Sequence, residues 1–208
     1  MSNPKGYRSA YEQLTQKRDW KAYYNAVADR PPRKTILTAL DAFKKPGLAI
    51  DLGCGDGRDT VAMLQRNWQV LAIDKEPDAI ARLLSRPNIN PKQLKTQIVS
   101  FEEVQLPQQV DLINASFCLP FCSPDAFPTL WNQIYNSLVP GGRFCGHLFG
   151  DRDSWAESEL INTFTRTQLE TLLKPYAIEL LEEEEHPGNT PLGEDRDWHI
   201  FHIVACKQ

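Results

Sequence analysis

Residues 48–60 read LAIDLGCGDGRDT, a short apolar run, Asp51, and then glycine at positions 53, 55 and 57. Glycine at every second place lets a backbone approach a ligand more closely than any side chain would allow. A helix starting behind such a turn offers its first N–H groups, which have no partner inside the helix. A dinucleotide-binding turn has the pattern GxGxxG, with pyrophosphate on the helix N-terminus. Here the pattern is GxGxG, Asp51 precedes the turn and Asp56 lies within it. Two carboxylates repel a pyrophosphate and suit a ligand that carries an ammonium or a sulfonium. The competing account is a tight turn with no ligand.

A second candidate is Asp74, which closes the run Val70-Leu71-Ala72-Ile73. A carboxylate at the end of the second strand can accept both hydroxyls of a ribose, and it repels a 2′-phosphate. Taken alone, Asp74 also reads as a solvated loop residue. Weaker candidates follow. Cys118 and Cys122 could meet a soft acceptor, although nothing near them in sequence lowers a thiol pKa and packing is the rival reading. His147 could serve as a base, or could be a hydrogen-bonded core histidine. Trp198-His199 could face a ligand, but the alternation in WHIFHIVAC suits an ordinary strand equally well. Asp151-Arg152-Asp153 and Glu182–Glu185 read as solvated segments.

These residues need a frame. From residue 48 onward, apolar runs at 48–52, 69–73, 94–99, 110–115 and 143–149 alternate with helical spacing at 58–67, 77–85 and 124–138. Such alternation predicts a parallel sheet, and right-handed crossovers place helices on both faces. Ser123-Pro124 predicts the start of the third of those helices. Thr165 and Gln168 fit a capping box for a further helix running to 174. Short strands at 178–181 and 198–206, joined by a turn-rich 185–197, predict a hairpin and an antiparallel last strand. Residues 8–45 read as helical with a break at Arg30-Pro31-Pro32-Arg33. This division gives an N-terminal helical cap over 1–45 and a ligand-binding domain over 46–208.

Through these ordered motifs, over about residues 45–150, the chain resembles the class I S-adenosylmethionine-dependent methyltransferases. The resemblance implies a doubly wound, Rossmann-like α/β fold with a mostly parallel seven-stranded sheet in the order 3-2-1-4-5-7-6. It implies S-adenosylmethionine as cofactor and S-adenosylhomocysteine as product. Asp51, Gly53, Cys54, Gly55, Gly57 and Arg58 would lie against the methionine part, and Asp74 with Lys75 at the ribose. Ser100-Phe101-Glu102 stands where the family meets adenine, with serine in place of a frequent aspartate. Asn114, Ala115, Ser116 and Phe117 would border both cofactor and acceptor. Leu138-Val139-Pro140-Gly141-Gly142 is similar to the family's turn before strand five. Tyr23, Tyr24, Arg30 and Arg33 are cap residues placed to reach the site, with Arg33 toward the methionine carboxylate. The compact layout resembles the small-molecule branch, such as tellurite and thiopurine methyltransferase-like enzymes. Methyl transfer from a sulfonium can run on positioning and exclusion of water. The catalytic candidates are therefore no more than His147, Cys118 and His199.

Composition narrows the rest. The chain has 208 residues, 41% of them hydrophobic, enough for one core without disulfides. Its five cysteines form no CxxC pair, so neither a disulfide framework nor a zinc site is expected. No apolar run approaches the ~20 residues of a membrane span, and the first ten residues lack a signal peptide's apolar region. A cytoplasmic location is the expectation. Net charge is −4, but residues 1–45 carry ten Lys/Arg against four Asp/Glu (+6), and residues 151–197 carry four against thirteen (−9). The acidic total disfavours a nucleic-acid partner. A small-molecule acceptor is the expected partner, and the sequence leaves the oligomeric state open. Rival readings are an NAD-dependent oxidoreductase, a cofactor-binding scaffold without turnover, and a nucleic-acid methyltransferase.

Overall fold

The structure is a computed structural model, and it describes residues 20–208 except Asp29 and Asn88. The helical reading of residues 8–19 lies outside the described residues. The N-terminal elements are α1 (Trp20–Val27) and α2 (Lys34–Asp41). The alternating region follows as β1 (Leu48–Leu52), α3 (Arg58–Gln65), β2 (Gln69–Asp74), α4 (Pro77–Ser85), β3 (Leu94–Ile98), β4 (Val110–Ala115), α5 (Phe127–Ser137) and β5 (Leu138–Gly150). The chain closes with β6 (Thr163–Phe164), α6 (Arg166–Leu173), β7 (Tyr176–Asn189) and β8 (Asp195–Lys207).

The sheet order is β3-β2-β1-β4-β5-β8-β7, with β6 beside the end of β5. Strands β1 to β5 pair in parallel, and β8 runs against both β5 and β7. The sheet thus has eight strands rather than seven. The extra one pairs only Thr163 and Phe164 with Phe149 and Gly150, and two residues are too few to carry an alternation signal. Strand alternation splits the core in two. Ala49, Val70 and Leu112 pack against Ile36, Met63 and Leu83 of α2, α3 and α4. Ile50, Ile73 and Ile113 face the other way, toward Trp131 and Ile134 of α5 and Leu169 of α6.

Several boundaries differ from the sequence reading. The connector expected at 185–197 is mostly strand, and the turn is confined to Thr190–Glu194, where Thr190 N donates to Glu194 O at 2.8 Å. Strand β7 continues through Pro187 because it is a sheet edge, where a missing N–H breaks no ladder. The four glutamates at 182–185 are exposed, as read, but they are strand residues and have polar partners. Glu182 meets Lys34, Glu183 meets Arg152 and Arg166, and Glu184 meets His202. Ser123-Pro124 forms a turn ahead of α5, with Ser123 O accepting from the N–H groups of Ala126 and Phe127. Strand β5 begins at Leu138, which pairs with Val110 of β4; the register then shifts across the expected turn, and regular pairing resumes with Leu112 and Arg143. The capping box of α6 is present, with Thr165 N donating to Gln168 Oε1 at 2.8 Å and Gln168 N to Thr165 Oγ1 at 3.2 Å. Among the described residues, no helix is long and apolar enough to cross a membrane, and no three His, Cys, Asp or Glu side chains gather as metal ligands.

Candidate functional site

The glycine turn links β1 to α3 beside the carboxyl ends of β2 and β4. Gly53 and Gly55 have φ of 60° and 57°, a left-handed backbone that side chains disfavour. A Cβ on Gly53 would lie 2.4 Å from Cys118 Cβ, and one on Gly55 would lie 3.3 Å from the Tyr24 ring. The turn is tied to β2 by two kinds of bond. Cys54 N donates to Ile73 O at 3.0 Å, and Gly55 N donates to Asp74 Oδ2 at 2.8 Å. Asp74 Oδ1 accepts from Glu76 N at 2.9 Å. Each oxygen keeps a further lone pair. Burial raises the Asp74 pKa, and the two backbone N–H groups oppose the rise.

A cavity with about 880 Å³ of empty space opens in front of this turn. It brings together Gly53, Cys54, Gly55, Asp74 and Lys75 from the β1 and β2 ends. It also brings Phe101, Ser116, Phe117 and Cys118 from the β3 and β4 ends, and Tyr24 and Arg33 from the N-terminal elements. Arg58 lies at its edge. Phe117, directly after β4, has φ of 57°. A non-glycine residue held there is a form of strain that collects at functional sites.

Other predicted residues sit elsewhere. Asp51 is 2% exposed and turned inward, accepting from Thr60 Oγ1 and from Asn114 Nδ2. Burial, and then the neighbouring Asp59, push its pKa up to about 7. Asn114 is consumed by the same network, and Ala115 is core. Gly57 ends the turn away from the cavity, packed on Leu83. Ser100 Oγ faces Glu103, and Glu102 accepts from Ser123 N. Asp56 reaches the cavity's edge, but Arg86 balances its charge. Hence the two carboxylates expected to attract a cation are both engaged, and Asp74 with Glu76 supply the negative side of the cavity.

The catalytic candidates separate in the same way. Cys118 donates its thiol to Leu52 O at 3.0 Å, and burial with nearby Asp51 and Asp74 holds it well above its usual pKa. It is a neutral wall of the cavity. Cys122 is buried away from the cavity, where burial pushes its thiol up to about 12. His199 is fully buried and fully bonded, accepting from Arg152 N at Nδ1 and facing Glu183 at Nε2. His147 is different. Its ring stacks on Phe117 at 4.1 Å between centroids, and its buried Nδ1 meets no partner. Burial, then Arg33 and His202, lower its pKa well below the usual histidine value, so it stands neutral.

Sequence reasoning missed Asp59. Its carboxylate is 2% exposed and accepts from both the backbone N–H and Nη1 of Arg33, at 3.1 and 2.9 Å. This pair fastens the cap segment to α3. Burial works against the Arg33 charge, but Asp59 outweighs it. Arg33 Nε remains buried without a partner among the described residues, at the cavity wall. An orphaned guanidinium N–H beside an apolar, glycine-floored cavity fits a ligand that ends in a carboxylate.

A family model described as a methyltransferase domain matches residues 49–142. Residues 49–142 are thus similar to a methyltransferase domain. The segment holds the glycine turn, Asp74, Phe101 and Phe117, and its strands are the parallel half of the sheet. Solved structures extend the likeness over the whole fold. TehB from Haemophilus influenzae superposes with a TM-score of 0.75 at 16% identity, covering 89% of this chain and 66% of that one. The 1,6-didemethyltoxoflavin-N1-methyltransferase of Burkholderia thailandensis, solved with its namesake compound and S-adenosylhomocysteine, gives 0.68 at 21% identity, covering 100% and 92%. A carboxy-S-adenosyl-L-methionine synthase of Photorhabdus laumondii is 27% identical over 97 residues, 44% of this chain and 38% of the relative. The matched stretch spans less than half the length of the curated relatives. The sequence similarity thus lies in the segment that holds the glycine turn, and the likeness in fold extends beyond it.

Proposed function

We propose that this chain transfers a methyl group from S-adenosylmethionine to a small-molecule acceptor. The observation that carries this reading is Asp74, held by Gly55 N and Glu76 N with lone pairs to spare at the mouth of a glycine-floored cavity. Those lone pairs would accept the ribose hydroxyls. Phe101 would lie along the adenine, and Arg33 Nε would donate to the methionine carboxylate. Tyr24, packed over Gly55, would exclude water from the reacting atoms, so that the described N-terminal segment, residues 20–45, would act as a cap.

The bound cofactor would supply a methyl carbon already activated by its sulfonium: the acceptor's electron pair forms the new bond while the carbon–sulfur pair stays on sulfur, giving S-adenosylhomocysteine. This chain's share is positioning. His147 stacks on Phe117 behind the cavity, and its burial and lowered pKa make it a weak base, so its share is to hold the Phe117 ring in place.

The names of the curated relatives favour a second reading, in which the product is a carboxylated S-adenosylmethionine. Mass analysis of the turnover product separates the two. The first experiment is a calorimetric titration with S-adenosylhomocysteine, with NAD as control. Micromolar binding of the first alone is expected. A folded protein that ignores S-adenosylhomocysteine would overturn both readings.

A further inference from the structure

A second cavity, with about 900 Å³ of empty space partly open to solvent, lies beside the first and shares Arg33, Arg58 and Phe117 with it. One wall is aromatic, built from Phe117, Phe121, Phe149, Trp155 and Trp198. Arg196 fixes this wall. Its guanidinium carbon lies 3.4 Å from the Trp155 ring centre, 3.8 Å from that of Trp198 and 4.3 Å from that of Phe149. Arg196 is 3% exposed, and it donates from Nε and Nη2 to Asp153 Oδ1, on a carboxylate equally buried. Its charge is therefore balanced from behind, and the rings are held in place before any ligand arrives.

The other side is cationic. Arg30 and Arg58 line the same cavity, and no Asp or Glu among the described residues does. Arg58 Nε donates to Pro31 O, a carbonyl that leaves the charge unbalanced. The Arg30 side chain has no hydrogen-bond or ion-pair partner among the described residues. In a chain of net charge −4, a cavity with arginines and no carboxylate is a site for an anion. An aromatic wall alone would also suit a cationic ligand, but the arginines repel one. His147 lines a separate, adjoining recess that shares Arg30 and Arg58, where Glu182, Glu183 and Glu184 supply carboxylates that the second cavity lacks.

We propose that this second cavity is the acceptor site and that it takes a planar aromatic acid, its ring against the Phe117–Trp198 wall and its anionic group on Arg30 and Arg58. The word acceptor rests on the methyl-transfer reading; the binding chemistry does not. Rings meet the wall edge-on or stacked, and guanidinium groups hold a carboxylate in forked pairs. Arg30 lines this cavity and not the first, so the two sites can be tested separately.

The test is calorimetry on the full chain, with and without S-adenosylhomocysteine, using three probes: 2-naphthoate, its uncharged amide 2-naphthamide, and the non-aromatic cyclohexanecarboxylate. The expected result is saturable 2-naphthoate binding at least tenfold tighter than either control. Arg30→Ala should then weaken 2-naphthoate at least fivefold and leave 2-naphthamide and S-adenosylhomocysteine unchanged. Arg30 is exposed, so this variant keeps its fold. Absent naphthoate binding, equal binding of acid and amide, or an indifferent Arg30→Ala variant would each overturn the assignment. If S-adenosylhomocysteine fails to bind while the acid binds through Arg30, the methyl-transfer reading falls and the aromatic-acid site stands.

Discussion

Gly55 N donates to Asp74 Oδ2 across 2.8 Å, joining the turn after β1 to the end of β2. One carboxylate thereby shapes the cavity floor and, in the proposed reading, would also meet the ribose. Asp74→Ala removes both functions. Hydrogen bonds to a charged group typically contribute about 1–3 kcal/mol, so S-adenosylhomocysteine affinity should fall by that amount in a protein with an unchanged circular dichroism spectrum. An unchanged affinity would remove Asp74 from the cofactor site.

Gly55 is the position where the backbone itself must stay bare. Its φ is 57°, and a side chain would project toward Tyr24 and the cavity. Gly55→Val adds a left-handed strain of roughly 1–2 kcal/mol. It also fills the ligand's approach. Cooperative unfolding at a modestly lower temperature, with S-adenosylhomocysteine binding abolished, is the expected pair of results. Normal binding by a folded Gly55→Val protein would refute the close approach.

Legibility in the sequence followed distance along the chain. The glycine turn, Asp74 and the parallel strands could be read because each is a local pattern. The β1 and β4 limits match the reading residue for residue. What could not be read depends on partners far away. Asp51 looks like a ligand group beside its glycines, yet it turns inward to Thr60 and to Asn114, 63 residues on. The Arg33–Asp59 pair spans 26 residues, and the Arg196–Asp153 pair spans 43. The glutamate run reads as solvent-facing and is exposed, while its partners Lys34, Arg152, Arg166 and His202 come to it only through the fold.

Gly150 and His199 make a packing prediction apart from the cavities. A Cβ on Gly150 would lie 2.0 Å from His199 Nδ1, and that ring is fully buried and bonded to Arg152 and Glu183. Overpacking of this kind costs about 1–3 kcal/mol. Gly150→Ala should lower the melting temperature and leave S-adenosylhomocysteine affinity alone. His199→Ala in the same chain should recover part of the loss, because the clash is with that ring. Additive losses in the double variant would place the strain elsewhere.

Asp51 gives the protein a pH dependence of unusual sign. Burial and the adjacent Asp59 raise its pKa to about 7, far above the ordinary aspartate value of 3.8. Between those values the folded chain holds a proton that the unfolded chain has released, so folding is favoured toward the acid side of the window. As pH rises from about 4 to about 7, this contribution is lost, on the order of a few kcal/mol at most. Asp51→Asn keeps the shape and removes the titration. Urea unfolding at pH 5 and pH 8 should therefore show the wild type losing stability with rising pH and the Asp51→Asn variant losing distinctly less. Equal slopes for the two proteins would mean that Asp51 is ionised throughout, with Thr60, Asn114 and Arg33 together outweighing its burial.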